Sequence, residues 1–265
     1  MAIFFEILIY LMFAYILYEY RREWVFLLSL FTLGLIMELV GVNIFHAYEY
    51  HGYLIMPFGV PISIPCAWAV IIFGVNKIVS RSNVPSIFYP FVFGFYTLLL
   101  DIAMDPIMSY AGMWVWKRGA SPSLDFFSVP LYNFIGWFLA GFVVGVGYIF
   151  LSVSKRPSVY SYVIWGILYP ILWFPLMYLL RFVPYLVNYY ILWGLMLFIG
   201  IIVRVYGFTK EVVSLDILFV RWSFYLSSLV VFIWSKLYID KPYLIVPLVL
   251  SILIEIFGTS MYDIL

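Results

Sequence analysis

Charge is scarce in this sequence. Asp, Glu, Lys and Arg make up 10% of its 265 residues, against about 25% in an ordinary soluble domain. Fourteen basic and 13 acidic residues leave a formal net charge of +1. No basic stripe meets a phosphate backbone, which excludes a nucleic-acid binder. There is one cysteine, Cys66, so no intrachain disulfide can form, and its apolar neighbours mark it as a small core residue. The two histidines, His46 and His51, are far too few for a membrane di-iron oxygenase. No P-loop and no dinucleotide fingerprint is present. The first apolar stretch lacks a basic leader and a small-residue cleavage site, and so reads as a membrane span rather than a signal peptide.

Hydrophobic residues dominate instead, at 66%, and aromatic residues reach 23%, with 26 Phe, 24 Tyr and 10 Trp. A water-soluble fold of this size would expose apolar patches well beyond the order of a few hundred Å² that monomers carry. The bilayer is the fitting solvent. Runs near the length of about 20 residues that crosses a hydrocarbon core occupy residues 2–18, 24–41, 60–79, 86–108, 129–151, 159–180, 185–203 and 217–235, with a shorter ninth at 243–257. The expected fold is therefore an all-α, polytopic integral membrane bundle of eight or nine helices (range seven to nine), with residues 1–265 forming one domain. The short ninth run either spans with tilt or thinning or is partly re-entrant. Odd-numbered connections hold Arg21, Arg22, Lys77, Arg81, Lys155, Arg156, Arg204 and Lys210; even-numbered ones hold Lys117, Arg118, Arg181, Lys236 and Lys241. The excess of basic residues then places odd connections in the cytoplasm and the N-terminus outside.

Acids inside spans are the informative residues, because each costs several kcal/mol unless it faces the bundle interior, pairs or stays protonated. Glu38 stands in the last turn of span two. Asp101 and Asp105 lie four apart on one face of span four, just before Pro106. Asp125 precedes span five, and Glu49 lies in the connection 42–59. Spans two and four run in the same direction and end at the two longest connections, 42–59 and 109–128. All five acids can therefore converge in one leaflet. Carboxyls crowded in a low dielectric do not all ionise, so at least one is expected to keep its proton, as a general acid requires. The bland alternative is that these acids cap helices or bond to backbone. In span five, Asn133, Trp137, Gly141 and Gly145 recur every fourth residue. The glycines suit close helix packing, Asn133 offers an amide, and Trp137 offers a π-face. Trp114 and Trp116 read as interfacial anchors or as covers for a substrate. His46, His51 and Glu49 form only a weak metal pattern, and no metal is expected. Met37–Gly41 echoes Ile254–Gly258 over five positions, too few for a repeat.

In order along the chain, Glu38, Pro57-Phe58-Gly59, Val60-Pro-Ile-Ser-Ile-Pro-Cys-Ala-Trp68, Asp101-Ile-Ala-Met-Asp105-Pro106, Trp114-Val-Trp116 and Val129-Pro-Leu-Tyr-Asn133-Phe-Ile-Gly-Trp137-Phe resemble blocks of the membrane carotenoid hydratase family. That family includes bisanhydrobacterioruberin hydratase and the bacterial enzymes that hydrate the ψ-end of carotenes. The blocks place the catalytic core within residues 34–140. The sequence departs from the pattern at His51-Gly52-Tyr53-Leu54, where relatives have a Thr-Gly turn, and at Ser128, where they have glycine; its C-terminal half matches only in hydropathy. The resemblance implies cofactor-independent addition of water to a terminal isoprenoid C=C bond of a long acyclic carotenoid entering from lipid. It also fits association with other carotenoid biosynthesis enzymes in the cell membrane. On this reading Asp105 is the general acid, tuned by Asp101, with the exchange of the two roles as the alternative. Glu38 or Asp125 holds the water and takes its proton, and Asn133 helps to place the water. Trp137, Trp114, Trp116, Tyr53, Phe58, Trp68 and Glu49 contact substrate. The rival classes are a Mg²⁺-dependent intramembrane prenyltransferase, for which a second Asp-rich cluster is missing, a transporter with a carboxylate relay, and a non-catalytic carotenoid-binding scaffold. A retinal-type receptor is excluded because Lys77, Lys155, Lys210 and Lys236 lie at span ends.

Overall fold

The computed structural model describes residues 1–117, 125–153, 159–180, 182–207 and 214–260. Among the described residues ten helices follow one another: α1 Ala2–Glu19, α2 Trp24–Asn43, α3 Ser63–Val79, α4 Tyr89–Tyr110, α5 Leu131–Val153, α6 Val159–Leu180, α7 Tyr185–Tyr206, α8 Leu215–Trp234, the single turn α9 Leu237–Asp240, and α10 Ile245–Ser260. Among the described residues seven helical stretches are long and apolar enough to cross a membrane, and Ser63–Val79 and Pro242–Ile256 are shorter apolar helices. This is the all-α bundle of a multi-pass membrane protein, at the lower edge of the expected number of spans.

Burial separates inner from outer helices. Nearly every side chain of α3 and α4 is buried, which is how a helix that is apolar all round behaves at the centre of a bundle. α1 buries one stripe, Phe5, Glu6, Ile9, Met12 and Ile16, at the helical period. α6 and α7 bury little and present Ile, Leu and Val outward. Pro106 does not end α4. It removes one N–H near the last turn, and the helix runs on to Tyr110.

Small residues set the closest helix pair. A Cβ at Gly94 would lie 2.6 Å from the Phe138 carbonyl oxygen, and one at Gly145 would lie 2.8 Å from the Pro90 Cα. Gly141 rests on Thr97 and Gly94. The glycines of α5 thus serve packing, and they bring α5 flush against α4.

Connections alternate between the two ends of the bundle. At one end, the Tyr20 hydroxyl donates to Asp216 Oδ2 at 2.7 Å and the Asn83 N–H to the Gly207 oxygen at 3.0 Å. At the other end, Tyr243 stacks on Phe127 at 5.5 Å. Here the chain also forms two antiparallel strand pairs that the hydropathy reading does not foresee. β1 Tyr48–Tyr50 pairs with β2 Trp114–Trp116, and β3 Asp125–Phe126 pairs with β4 Val129–Pro130. The register sets Tyr48 opposite Trp116 and Tyr50 opposite Trp114. The two longest connections are thereby stitched into one cover over the ends of α2 and α4.

Candidate active site

Glu38, near the end of α2, is 5% exposed and accepts three hydrogen bonds. Tyr48 and Tyr50 donate their hydroxyls to Oε2, each at 2.7 Å, and Trp68 donates Nε1–H to Oε1 at 2.8 Å. Two glycines, each about one turn from Glu38 along α2, make this possible. A Cβ at Gly34 would lie 2.6 Å from the Trp68 Cβ, and one at Gly41 would lie 2.6 Å from the Tyr48 hydroxyl oxygen. The donors arrive because α2 has no side chain where they pass.

Asp101 and Asp105, each 4% exposed, point inward from α4. The Asn133 amide, two residues into α5, bridges them, donating to Asp101 Oδ2 at 3.1 Å and to Asp105 Oδ2 at 2.6 Å. Trp114 donates Nε1–H to Asp105 Oδ1. The β1–β2 ladder therefore supplies donors to both carboxyl groups that flank the site: two tyrosines from one strand to Glu38, and one tryptophan from the other to Asp105. This follows from strand geometry, since alternate side chains point to one face. On that face Tyr48 meets Trp116 at 4.7 Å and Tyr50 meets Trp114 at 6.0 Å between ring centroids.

Beneath the ladder lies a cavity of two adjoining compartments, each of about 60 Å³. Glu38, Tyr48, Trp68, Trp116, Asn133 and Trp137 line both. The inner compartment reaches Asp101 and Asp105, and the outer one reaches Gly136, Trp173 and Met177. Trp68 and Trp137 stack face to face, 3.8 Å apart and 10° from parallel, and this indole stack borders both compartments. Trp116 Nε1 is buried within the lining of both compartments.

The structure thus brings together Glu38, Asp101, Asp105, Asn133, Trp68, Trp114, Trp116 and Trp137. Other expected residues fall elsewhere. Glu49 is on the opposite face of its strand, 46% exposed, and meets Lys117 Nζ at 2.9 Å and His51 Nε2 at 3.4 Å. The hydrogen-bonded Lys117 ammonium holds its carboxyl below the usual range. Glu49 does not join the buried acids, because strand alternation turns it outward between Tyr48 and Tyr50. Phe58 is 81% exposed, held in a left-handed turn at φ 55°. Tyr53 is buried against Tyr50 at 5.7 Å but lines neither compartment. Asp125 pairs with Pro130 through its backbone, and its side chain lies outside the described residues. Among the described residues, no three His, Cys, Asp or Glu side chains gather as a metal site would require.

Three buried charges escape the sequence reading. Glu6 of α1 accepts from the backbone N–H groups of Leu54 and Ile55, at 2.6 and 3.2 Å, and from the Tyr10 hydroxyl at 2.9 Å. It thereby ties the 51–56 loop to the bundle. Arg221 of α8 pairs with Glu255 of α10 at 2.5 Å and donates to the Tyr96 carbonyl of α4 at 2.6 Å. The Tyr225 hydroxyl completes the Glu255 carboxylate at 2.5 Å. Each was visible as a charge inside an apolar run; their partners, on distant segments, were not.

No curated protein and no solved structure matches the chain. A comparison with protein families matches residues 1–206 to the one described as carotenoid biosynthesis protein. That stretch contains every residue lining the two compartments. With more than three quarters of its length so matched, the chain belongs to the carotenoid biosynthesis protein family.

Proposed function

We propose that this protein is a hydratase that adds water to a terminal isoprenoid C=C bond of an acyclic carotenoid. The observation that carries the reading is the placement of Glu38, Asp101 and Asp105 around one compartment walled by stacked indoles. Acid, base and an aromatic wall are the parts that alkene hydration needs.

Asp105 acts as the acid. Two carboxyls one helical turn apart in an apolar interior do not both ionise, so a proton stays on the Asp101–Asp105 pair. Its transfer breaks the carboxyl O–H bond, and the alkene π electrons form a new C–H bond at the less substituted carbon. The other carbon becomes a tertiary cation. The free outer face of the Trp68–Trp137 indole stack stabilises it by about 0.5–2 kcal/mol when desolvated. Water attacks through oxygen and gives up a proton to Glu38. Its three donors fix the orientation of the carboxyl oxygens that take the proton. The Asn133 amide and the Trp116 indole N–H hold the water. Return of the proton to Asp105 closes the cycle, with one water gained and nothing oxidised.

Expression in a host that makes acyclic carotenoids should yield products heavier by one water in mass spectrometry. Asp105→Asn should lower turnover about 10²–10⁴-fold, the usual worth of a positioned acid, while the variant still folds. Near-normal turnover by folded Asp105→Asn would remove the assignment.

A further inference from the structure

The outer compartment lies where α2 and α6 part. At one end the two helices touch: a Cβ at Gly166 would lie 3.5 Å from the Ser29 Cβ. About 16–18 Å along the two helices, at 1.5 Å per residue, Gly41 on α2 and Met177 on α6 line the cavity between them. Across the mouth, the Phe45 ring meets Phe174 at 6.2 Å and Tyr178 at 6.3 Å. Tyr178 is 51% exposed, and the outer face of α6 carries exposed Ile171, Leu172 and Leu179, a surface suited to lipid. From the touching end toward the mouth, α6 contains Pro170, and within the mouth stretch itself Pro175 follows Phe174. Each lacks an N–H, which frees the carbonyls of Gly166 and Ile171 and makes that stretch easier to bend.

We infer that the reacting end of the long apolar substrate passes sideways from lipid between α2 and α6, through a portal whose door is Phe45 against Phe174 and Tyr178 and whose hinge is the Ser29–Gly166 contact. What happens to the substrate inside rests on the hydratase reading; the portal rests on the shape of the helix pair. The slot fits this occupant because it leads from the apolar face of α6 straight to the compartment that holds Glu38.

The test pins the two ends of the helix pair separately, in phosphatidylcholine nanodiscs. Phe45→Cys with Tyr178→Cys is bridged by a short bis-thiosulfonate reagent that reductant removes; Phe45→Cys with Phe174→Cys serves as a second door pair. Ser29→Cys with Gly166→Cys forms a direct disulfide, its Cβ separation close to the usual value of about 3.8 Å. The unsubstituted protein, with its buried Cys66, is treated alike. Uptake is read as quenching of tryptophan fluorescence by an acyclic carotene, and turnover as hydrated product. Bridging the door should slow both at least tenfold, with recovery on reduction, whereas pinning the hinge should leave both within twofold. Undiminished quenching with the door fully bridged, or an equal loss on pinning the hinge, overturns the portal. If the bridge blocks quenching but the unsubstituted protein yields no hydrated carotenoid, the portal stands and the hydratase reading falls.

Discussion

Glu38 owes its donors to what its own helix leaves out. With alanine at Gly41, the new methyl would stand 2.6 Å from the Tyr48 hydroxyl oxygen, and the tyrosine would have to withdraw from the carboxyl. A hydrogen bond to a charged group contributes about 1.5–3 kcal/mol. If the base must be held in place, losing one donor translates into roughly a tenfold to hundredfold loss of rate. Gly41→Ala is therefore expected to lower the proposed hydration by that factor. Gly74→Ala in α3, where a Cβ meets nothing within 4 Å, should leave it unchanged. Product formation in membranes, normalised to folded protein, checks both. At this scale the acids of spans two and four were legible, because a carboxyl in an apolar run has few places to go. The tyrosines that serve Glu38 were not assigned to it. Tyr48 and Tyr50 read as part of an aromatic connection, and nothing in their spacing from Glu38 announces that the chain doubles back.

The strand ladder is where sequence reading falls shortest among the elements. The helices follow the apolar runs closely because span length is written in hydropathy. A three-residue strand has too little length to register, although Tyr48-Glu-Tyr50 and Trp114-Val-Trp116 each alternate with period 2. The same applies to the β3–β4 hairpin, whose two turn residues Phe127 and Ser128 both have positive φ, at 51° and 67°. Two-residue hairpin turns of this kind favour glycine or asparagine. Ser128→Gly should accordingly stabilise the protein by about 0.5–1 kcal/mol, since glycine adopts the left-handed region without the steric cost a side chain brings. A raised midpoint of thermal unfolding in detergent would bear this out; a lowered one would show that the serine is needed for another contact.

Across the whole molecule, α8 and α10 clamp the helix that carries Asp101 and Asp105. Arg221 and Glu255 are 2% and 1% exposed in their side chains and pair at 2.5 Å, and Arg221 also holds the Tyr96 carbonyl of α4. Removing one partner of a buried pair leaves a lone charge and costs about 3–5 kcal/mol, whereas replacing both by apolar groups of similar size is often neutral. Glu255→Leu alone should therefore destabilise strongly, and Arg221→Met with Glu255→Leu should recover most of the loss, as read from unfolding in detergent. Equal destabilisation by the single and double variants would show that the polar grip on α4 matters more than the stranded charge. The family match ends at residue 206, so this clamp lies beyond it. Cross-helix pairing of this sort is legible only in three dimensions, because hydropathy reports depth and not neighbours.

The ladder of Tyr48, Tyr50 and Trp114 has one last consequence. The donors to the proposed acid, Asp105, and those to the proposed base, Glu38, hang from the same short pair of strands. A disturbance at the water-facing surface that peels those strands apart would misalign both at once. Injury there should abolish catalysis in one step, with no partly competent species left behind.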